Sequence, residues 1–175
     1  AVPTISSVSA SPTLLCIGST ISLSATGVTG GSGSPTYAWS GPNSYSSTAA
    51  APSFTASVTA ASGVYSLTVT YPGTGCTSAV STTTAVTVNA VPTISSVSAS
   101  PTLLCVGSTI SLSATGVTGF SGSPTYAWTG PNSYSSAATA PSFTASVTAA
   151  SGVYSLTVTY PGTGCTSAVA TTTAV

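Results

Sequence analysis

The 175-residue chain contains no Asp, Glu, Lys, Arg or His. An ordinary soluble domain is about one quarter charged, so this zero is a property of the protein and not of sampling. Each absence removes a class of chemistry. Without carboxylate, amine or imidazole there is no general acid or base near neutral pH, and no neighbour that activates a Ser or Thr hydroxyl as a nucleophile. No cation stands by to hold a thiolate. The chain is therefore not expected to be an enzyme. It has no carboxylate cage for calcium or magnesium. It also has no His, and its Cys are too scattered to form the paired hooks of a zinc site, so no metal or cofactor is expected. Nothing basic is present to neutralise phosphate, which excludes nucleic acid as a partner. No run of about 18 apolar residues is present, so no membrane insertion is expected. Apolar residues recurring at helical spacing are missing too.

What remains is a neutral chain in which 42% of residues are hydrophobic. That places it far from the disordered class, which combines low hydrophobicity with high net charge. Ser, Thr and Gly make up most of the rest, and Val, Ile, Thr and Tyr supply strand formers. The chain reads as all-β. Its 4 Cys, in a Ser/Thr-rich β background, fit disulfides in an oxidising, extracellular or cell-surface setting. None of Asn43, Asn89 and Asn132 is followed two residues on by Ser or Thr, so no N-glycosylation acceptor is present.

The chain is also its own template. AVPTISSVSASPTLLC begins at Ala1 and again at Ala90. Over the aligned segments 1–86 and 90–175 only six positions differ: Ile17/Val106, Gly31/Phe120, Ser40/Thr129, Thr48/Ala137, Ala50/Thr139 and Ser81/Ala170. Two domains follow, 1–89 and 90–175, each large enough for a small β core. The second copy has no counterpart of Thr87, Val88 and Asn89. Together with the lack of an initiator Met or signal peptide, this points to an excerpt from a longer array. No Gly/Ser linker separates the copies, which predicts two domains stacked end to end as a fairly stiff rod.

Within one repeat, alternation and turn residues predict strands at Thr4 to Ser9, Leu14 to Ile17, Thr20 to Ala25, Thr36 to Ser40, Ser53 to Thr59, Val64 to Tyr71 and Ser78 to Val88. Breaks fall at Ser11-Pro12, at Gly18, in the Gly-rich stretch Gly27 to Pro35, at Gly41-Pro42-Asn43-Ser44 and at Pro72-Gly73-Thr74-Gly75. Ile21, Leu23 and Ala25 share one face, as do Tyr37 and Trp39, then Phe54, Ala56 and Val58, and finally Tyr65, Leu67, Val69 and Tyr71. About seven or eight short strands per repeat give a Greek-key sandwich.

Those residues resemble the immunoglobulin-like fold. Gly18-x-x-Ile21-x-Leu23-x-Ala25 is similar to that family's strand B, Trp39 to its strand C tryptophan, and Ser62-Gly63-Val64-Tyr65-Ser66-Leu67 to its tyrosine corner. The usual inter-sheet cystine positions fall at Ala25 and Leu67, so the likeness is to immunoglobulin-like and PKD-like modules without the core disulfide. The wider pattern C-x-G…Y-x-W-x-G-P-N…S-G-x-Y-x-L-x-V…G-C-T-S resembles tandem repeats of giant secreted bacterial surface proteins. The resemblance spans both copies.

In the topology that this resemblance implies, the turns carrying Cys16 and Cys76 lie at opposite ends of a sandwich, about 25 to 30 Å apart from the strand rise. A disulfide needs Cα atoms within about 7 Å. The resemblance thus favours a bridge from Cys16 to Cys165 across the joint, leaving Cys76 and Cys105 for preceding and following repeats. The alternative is Cys16–Cys76 with Cys105–Cys165, which a different topology would permit. Phe120, in place of Gly31, reads either as a tolerated loop change or as a hydrophobic plug at the same joint.

For function, a neutral surface lacks the repulsion that keeps soluble proteins apart. Sheet edges without charge are open to a neighbouring strand. The chain is therefore expected to be a self-associating structural module of an extracellular bacterial filament, stalk or giant adhesin, with other copies of itself or adjacent repeats as partners. The competing reading is a carbohydrate-binding adhesin module that uses Tyr45 and Tyr134 as exposed stacking platforms after the Gly-Pro-Asn turns. Outward Thr rows such as Thr68 and Thr70 are ordinary β chemistry and do not make an ice-binding face.

Overall fold

The computed structural model describes residues 1–119 and 122–175. They form two compact units, Ala1–Asn89 and Ala90–Val175. Unit 1 contains β1 (Ser7–Ser11), β2 (Leu14–Cys16), β3 (Thr20–Thr26), β4 (Thr36–Gly41), β5 (Tyr45–Ser47), β6 (Ser53–Thr55), β7 (Ser66–Tyr71), β8 (Cys76–Thr77), β9 (Ser81–Thr82) and β10 (Thr87–Asn89). One sheet has the order β1-β3-β6 and the other β5-β4-β7-β8, with β9 also on β7. A separate parallel pair joins β10 to β2. Unit 2 repeats the plan with β11 (Ser96–Ser100), β12 (Thr109–Thr115), β13 (Thr125–Gly130), β14 (Tyr134–Ser136), β15 (Ser142–Thr144), β16 (Ser155–Tyr160), β17 (Cys165–Thr166) and β18 (Ala170–Thr171). Among the described residues no helix is long and apolar enough to cross a membrane.

Period-two alternation sets the core. Ile21 and Leu23 point inward from β3, and Leu67, Val69 and Tyr71 point inward from β7, all buried. Trp39 of β4 lies opposite Leu67 in the register and is 2% exposed. Each such side chain taken out of water contributes about 1.5–3 kcal/mol. The Leu67 position, where a relative with a core disulfide would carry Cys, is filled by apolar packing. Unit 2 buries the matching Ile110, Leu112, Trp128, Leu156, Val158 and Tyr160. One difference stands out. The Trp39 indole N–H donates to the Ala49 carbonyl at 3.1 Å, whereas the buried Trp128 indole N–H has no acceptor in reach. The flanking residues are Thr48 and Ala50 in unit 1 but Ala137 and Thr139 in unit 2.

Four strand expectations need correction. The first strand runs Ser7–Ser11, and Thr4 makes only an isolated bridge to Thr29; the ladder continues up to the residue before Pro12, whose missing N–H ends it. The segment predicted as Ser53 to Thr59 pairs only through Ser53–Thr55. It then turns through a short 3-10 helix, Thr59–Ala61, leaving Val58 40% exposed instead of on the inner face. The expected long last strand Ser78 to Val88 is broken up: β8 ends before it, and only β9 and the first residues of β10 fall within it. Between them, Ser78 Oγ accepts from Val69 N–H at 3.0 Å and Thr83 Oγ1 accepts from Tyr65 N–H at 3.1 Å. Side-chain hydroxyls have replaced ladder bonds, as Ser and Thr can when a local acceptor competes with the sheet. β5 was not expected at all.

Candidate functional sites

The tyrosine corner fixes one end of each sandwich. Tyr65 is fully buried, and its hydroxyl donates to the Ala61 carbonyl at 2.6 Å. This clasps the 3-10 turn to the start of β7. Tyr154 donates to Ala150 in the same way at 2.6 Å. Gly41 makes room: a Cβ there would lie 2.3 Å from the Tyr65 ring. Burial holds the Tyr65 and Tyr154 phenols above their ordinary value, with Tyr45 and Tyr134 adding a smaller push in the same direction.

Tyr45 and Tyr134 are not free platforms. A tight turn with Asn43 at φ 52° and Ser44 at φ 56° returns the chain from β4 into β5. Both central residues are left-handed, as in the type I′ hairpins that match sheet twist. The turn lays Tyr45 on Phe54 with centroids 4.1 Å apart and sets it edge-on to Tyr65 at 5.5 Å. Tyr134 repeats this on Phe143 and Tyr154, at 4.1 and 5.4 Å. Both are half-buried and packed against the core, where the sequence reading expected exposed stacking platforms. The signal available was Tyr-Ser-Ser directly after the turn, a short alternating run that reads as a returning strand. Phe120 lies outside the described residues.

The cysteines sort to opposite ends. Cys16 closes β2 beside Asn89, next to Val88, whose N–H donates to Ser62 Oγ at 2.8 Å. Cys76 opens β8 opposite Tyr71. The run from Ser62 to Tyr71 is extended over most of its length, which puts the two Cys roughly 25 Å or more apart. Cys76 and Cys105 are free thiols, the first half-buried and the second exposed. The intradomain alternative, Cys16–Cys76 with Cys105–Cys165, is thereby overturned. Cys165 occupies the Cys76 position in unit 2, opposite Tyr160.

The outer faces are hydroxyl ladders. On the β1–β3 pair, Ser7 meets Thr26 at 2.7 Å and Ser9 meets Ser24 at 2.8 Å. Thr70 meets Thr77 across β7–β8 at 2.8 Å. These cross-strand pairs occupy places where other sheets carry ion pairs. The sheet edges β1, β5 and β6 likewise carry no charged side chain.

The strand order of the two main sheets, a buried strand-C tryptophan and a tyrosine corner define each unit as an immunoglobulin-like β-sandwich. No family model matches the chain, and no curated protein is detectably similar in sequence. Among solved structures, it is similar to three N-terminal domains of the bacteriophage RB49 outer capsid protein Hoc, at 16% identity over 98% of this chain and 59% of that one, TM-score 0.42. The amphioxus IgVJ-C2 molecule aligns at 15% identity over 88% of this chain and 94% of its own, TM-score 0.38. The N-terminal four Ig domains of Dscam1 isoform 4.4 align at 14% identity over 98% of this chain and 46% of theirs, TM-score 0.39. This chain thus spans less than two thirds of the phage and Dscam1 chains.

Proposed function

We propose that the chain is a structural or adhesive module of an extracellular bacterial filament, stalk or giant adhesin, which associates with other copies of itself or with adjacent repeats. The observation that carries this reading is a two-sheet surface whose faces and edges present hydroxyls and backbone but no charge. Native sheets normally guard their edges with Lys and other charges. An edge with none accepts a neighbouring strand without burying an ion. Near-identical units offer that surface twice, which suits linear assembly.

The proposal includes a Cys16–Cys165 bridge. Cys16 lies at the end of unit 1 from which Asn89 leaves, and Asn89 is bonded to Ala90 of unit 2. Cys76 and Cys105 then serve preceding and following repeats. Thiol counting on the unfolded, non-reduced chain tests the bridge. Two tags are expected, at Cys76 and Cys105, rising to three in Cys16→Ser; no tags, or a tag at Cys165 in the unmodified chain, rejects it. Electron microscopy of native material tests the assembly. Fibres or thin rods insensitive to moderate salt are expected, and dispersed particles, or fibres that dissolve on a modest salt change, reject it. The stacking of Tyr45 on Phe54 and the close approach of Tyr134 to Phe143 support the structural reading over the carbohydrate-binding alternative.

A further inference from the structure

The short hairpin strand beside each central tryptophan ends one pair too early to cover its neighbour. In unit 2, Val158 N–H donates to Ser167 Oγ at 3.0 Å, and the Val158 carbonyl accepts from Ser167 N–H at 2.9 Å. Both Val158 groups therefore face β17. Tyr126 lies opposite Val158, so these two form one of the pairs without hydrogen bonds that alternate along an antiparallel ladder. The Tyr126 N–H and C=O face the other edge, the side of β14, as do those of Trp128 and Gly130. β14 pairs Tyr134 with Gly130 and Ser136 with Trp128, and there it ends. The Tyr126 backbone is left unpaired among the described residues. Unit 1 repeats this at Tyr37, opposite Val69, where β5 ends at Ser47.

The ladder stops because the chain leaves it. Ala138 N–H donates to Ser136 Oγ at 3.2 Å, a local side-chain bond that competes with the sheet, and the chain crosses to β15 in the other sheet. Where it departs, a groove of about 420 Å³ opens, lined by Tyr126, Ala127, Trp128, Thr129, Ser135 and Ala137. Ala127, Thr129, Ser135 and Ala137 are exposed. In unit 1 the Trp39 indole N–H fastens the departing chain through the Ala49 carbonyl at 3.1 Å. In unit 2 the Trp128 indole N–H is buried and has no acceptor, so the departing chain beside the groove lacks that fastening.

We propose that the Tyr126 edge is a docking site for an extended, uncharged segment of a second copy of this chain, laid antiparallel to β13 in line with β14. One residue of that segment exchanges both backbone bonds with Tyr126, which is β-augmentation. The antiparallel direction is the one β14 already has, and it is slightly more stable per residue than the parallel one. Pro124 has no N–H, so the added ladder stops there and the site takes a short strand. The groove walls are Ala methyls and Ser and Thr hydroxyls. An ionised side chain in this neutral groove would be desolvated without compensation. Every segment of a second copy meets that condition, because the chain has no Asp, Glu, Lys, Arg or His. Unit 2 is the better acceptor, since its departing chain yields to an incoming strand without breaking an indole bond. This deepens the self-association reading and rests on it for the identity of the donor.

The test uses the whole chain with isotope-labelled tyrosine, read by NMR, and a capped Ser-Val-Ser-Ala-Ser peptide copying the edge strand Ser7–Ser11. Tyr126→Phe and Tyr37→Phe assign the two signals. In the free chain the Tyr126 amide is expected to exchange quickly with solvent. Tyr154, whose N–H donates to Thr172 Oγ1 at 3.1 Å, is the slow reference. Millimolar peptide is expected to shift the Tyr126 signal and slow its exchange severalfold, to affect Tyr37 less, and to leave Tyr154 unchanged. The same peptide N-methylated throughout, which has no N–H to give, and its Val8→Asp form are expected to do neither. A Tyr126 amide as slow as Tyr154 in the free chain, no response to the peptide, an equal response at Tyr154, or equal action by either altered peptide overturns the site. An equal response at Tyr37 overturns the preference given to unit 2. Peptide binding without fibres in the microscope would reject only the assembly reading; fibres without peptide binding at Tyr126 would reject only this one.

Discussion

Removing one oxygen from the tyrosine corner isolates what it does. Tyr65→Phe keeps the ring, and with it the contacts to Tyr45 at 5.5 Å and Phe54 at 5.6 Å. It deletes only the hydroxyl that donates to Ala61 at 2.6 Å. The bond is buried, so the loss includes desolvation of a carbonyl left without this donor, about 1–3 kcal/mol. For a unit of this size each kcal/mol moves the midpoint by about 4–8 °C, so about 2 kcal/mol gives a fall of about 8–16 °C. Scanning calorimetry of the whole chain reads this directly. Tyr65→Phe is expected to pull one transition, carrying about half the unfolding enthalpy on per-residue scaling, below the other. Tyr65→Phe with Tyr154→Phe brings the two together again at the lower temperature. A shift below about 2 °C, far under the range above, would show that the 3-10 turn is held by something other than the hydroxyl. Joint movement of both transitions in the single variant would refute independent units.

Gly41→Ala drives a methyl into the Tyr65 ring from 2.3 Å and is expected to cost about 1–3 kcal/mol as overpacking, read as a lower urea midpoint; an unchanged midpoint would mean the corner yields freely. Ser44→Gly relieves a left-handed residue at φ 56° and is expected to stabilise unit 1 by about 0.5–1 kcal/mol, seen as a raised upper transition in the same calorimetric trace. Stability is expected to be flat from about pH 5 to 9 and to fall above about pH 10. The phenols of Tyr45, Tyr65, Tyr134 and Tyr154 are raised by burial, so the unfolded chain loses its phenolic protons first and the folded state is disfavoured as pH rises. Urea titrations across that range check it, and a loss of stability between pH 5 and 8 would contradict a chain without carboxylates or imidazoles.

Much of this molecule was written in one dimension. Period-two alternation in Tyr65-Leu67-Val69-Tyr71 and Ile21-Leu23 determined which faces are buried, because side chains on a strand alternate strictly between two sides. The repeat boundary and the absence of ionisable catalytic groups needed no structure either. Tertiary structure decided what local pattern cannot encode. Tyr45 looked exposed after its turn until the left-handed pair Asn43-Ser44 folded it onto Phe54, a contact set by hairpin geometry. The last strand broke because Ser78 and Thr83 found backbone donors at Val69 on β7 and at Tyr65 just before it, a competition visible only when that segment lies alongside.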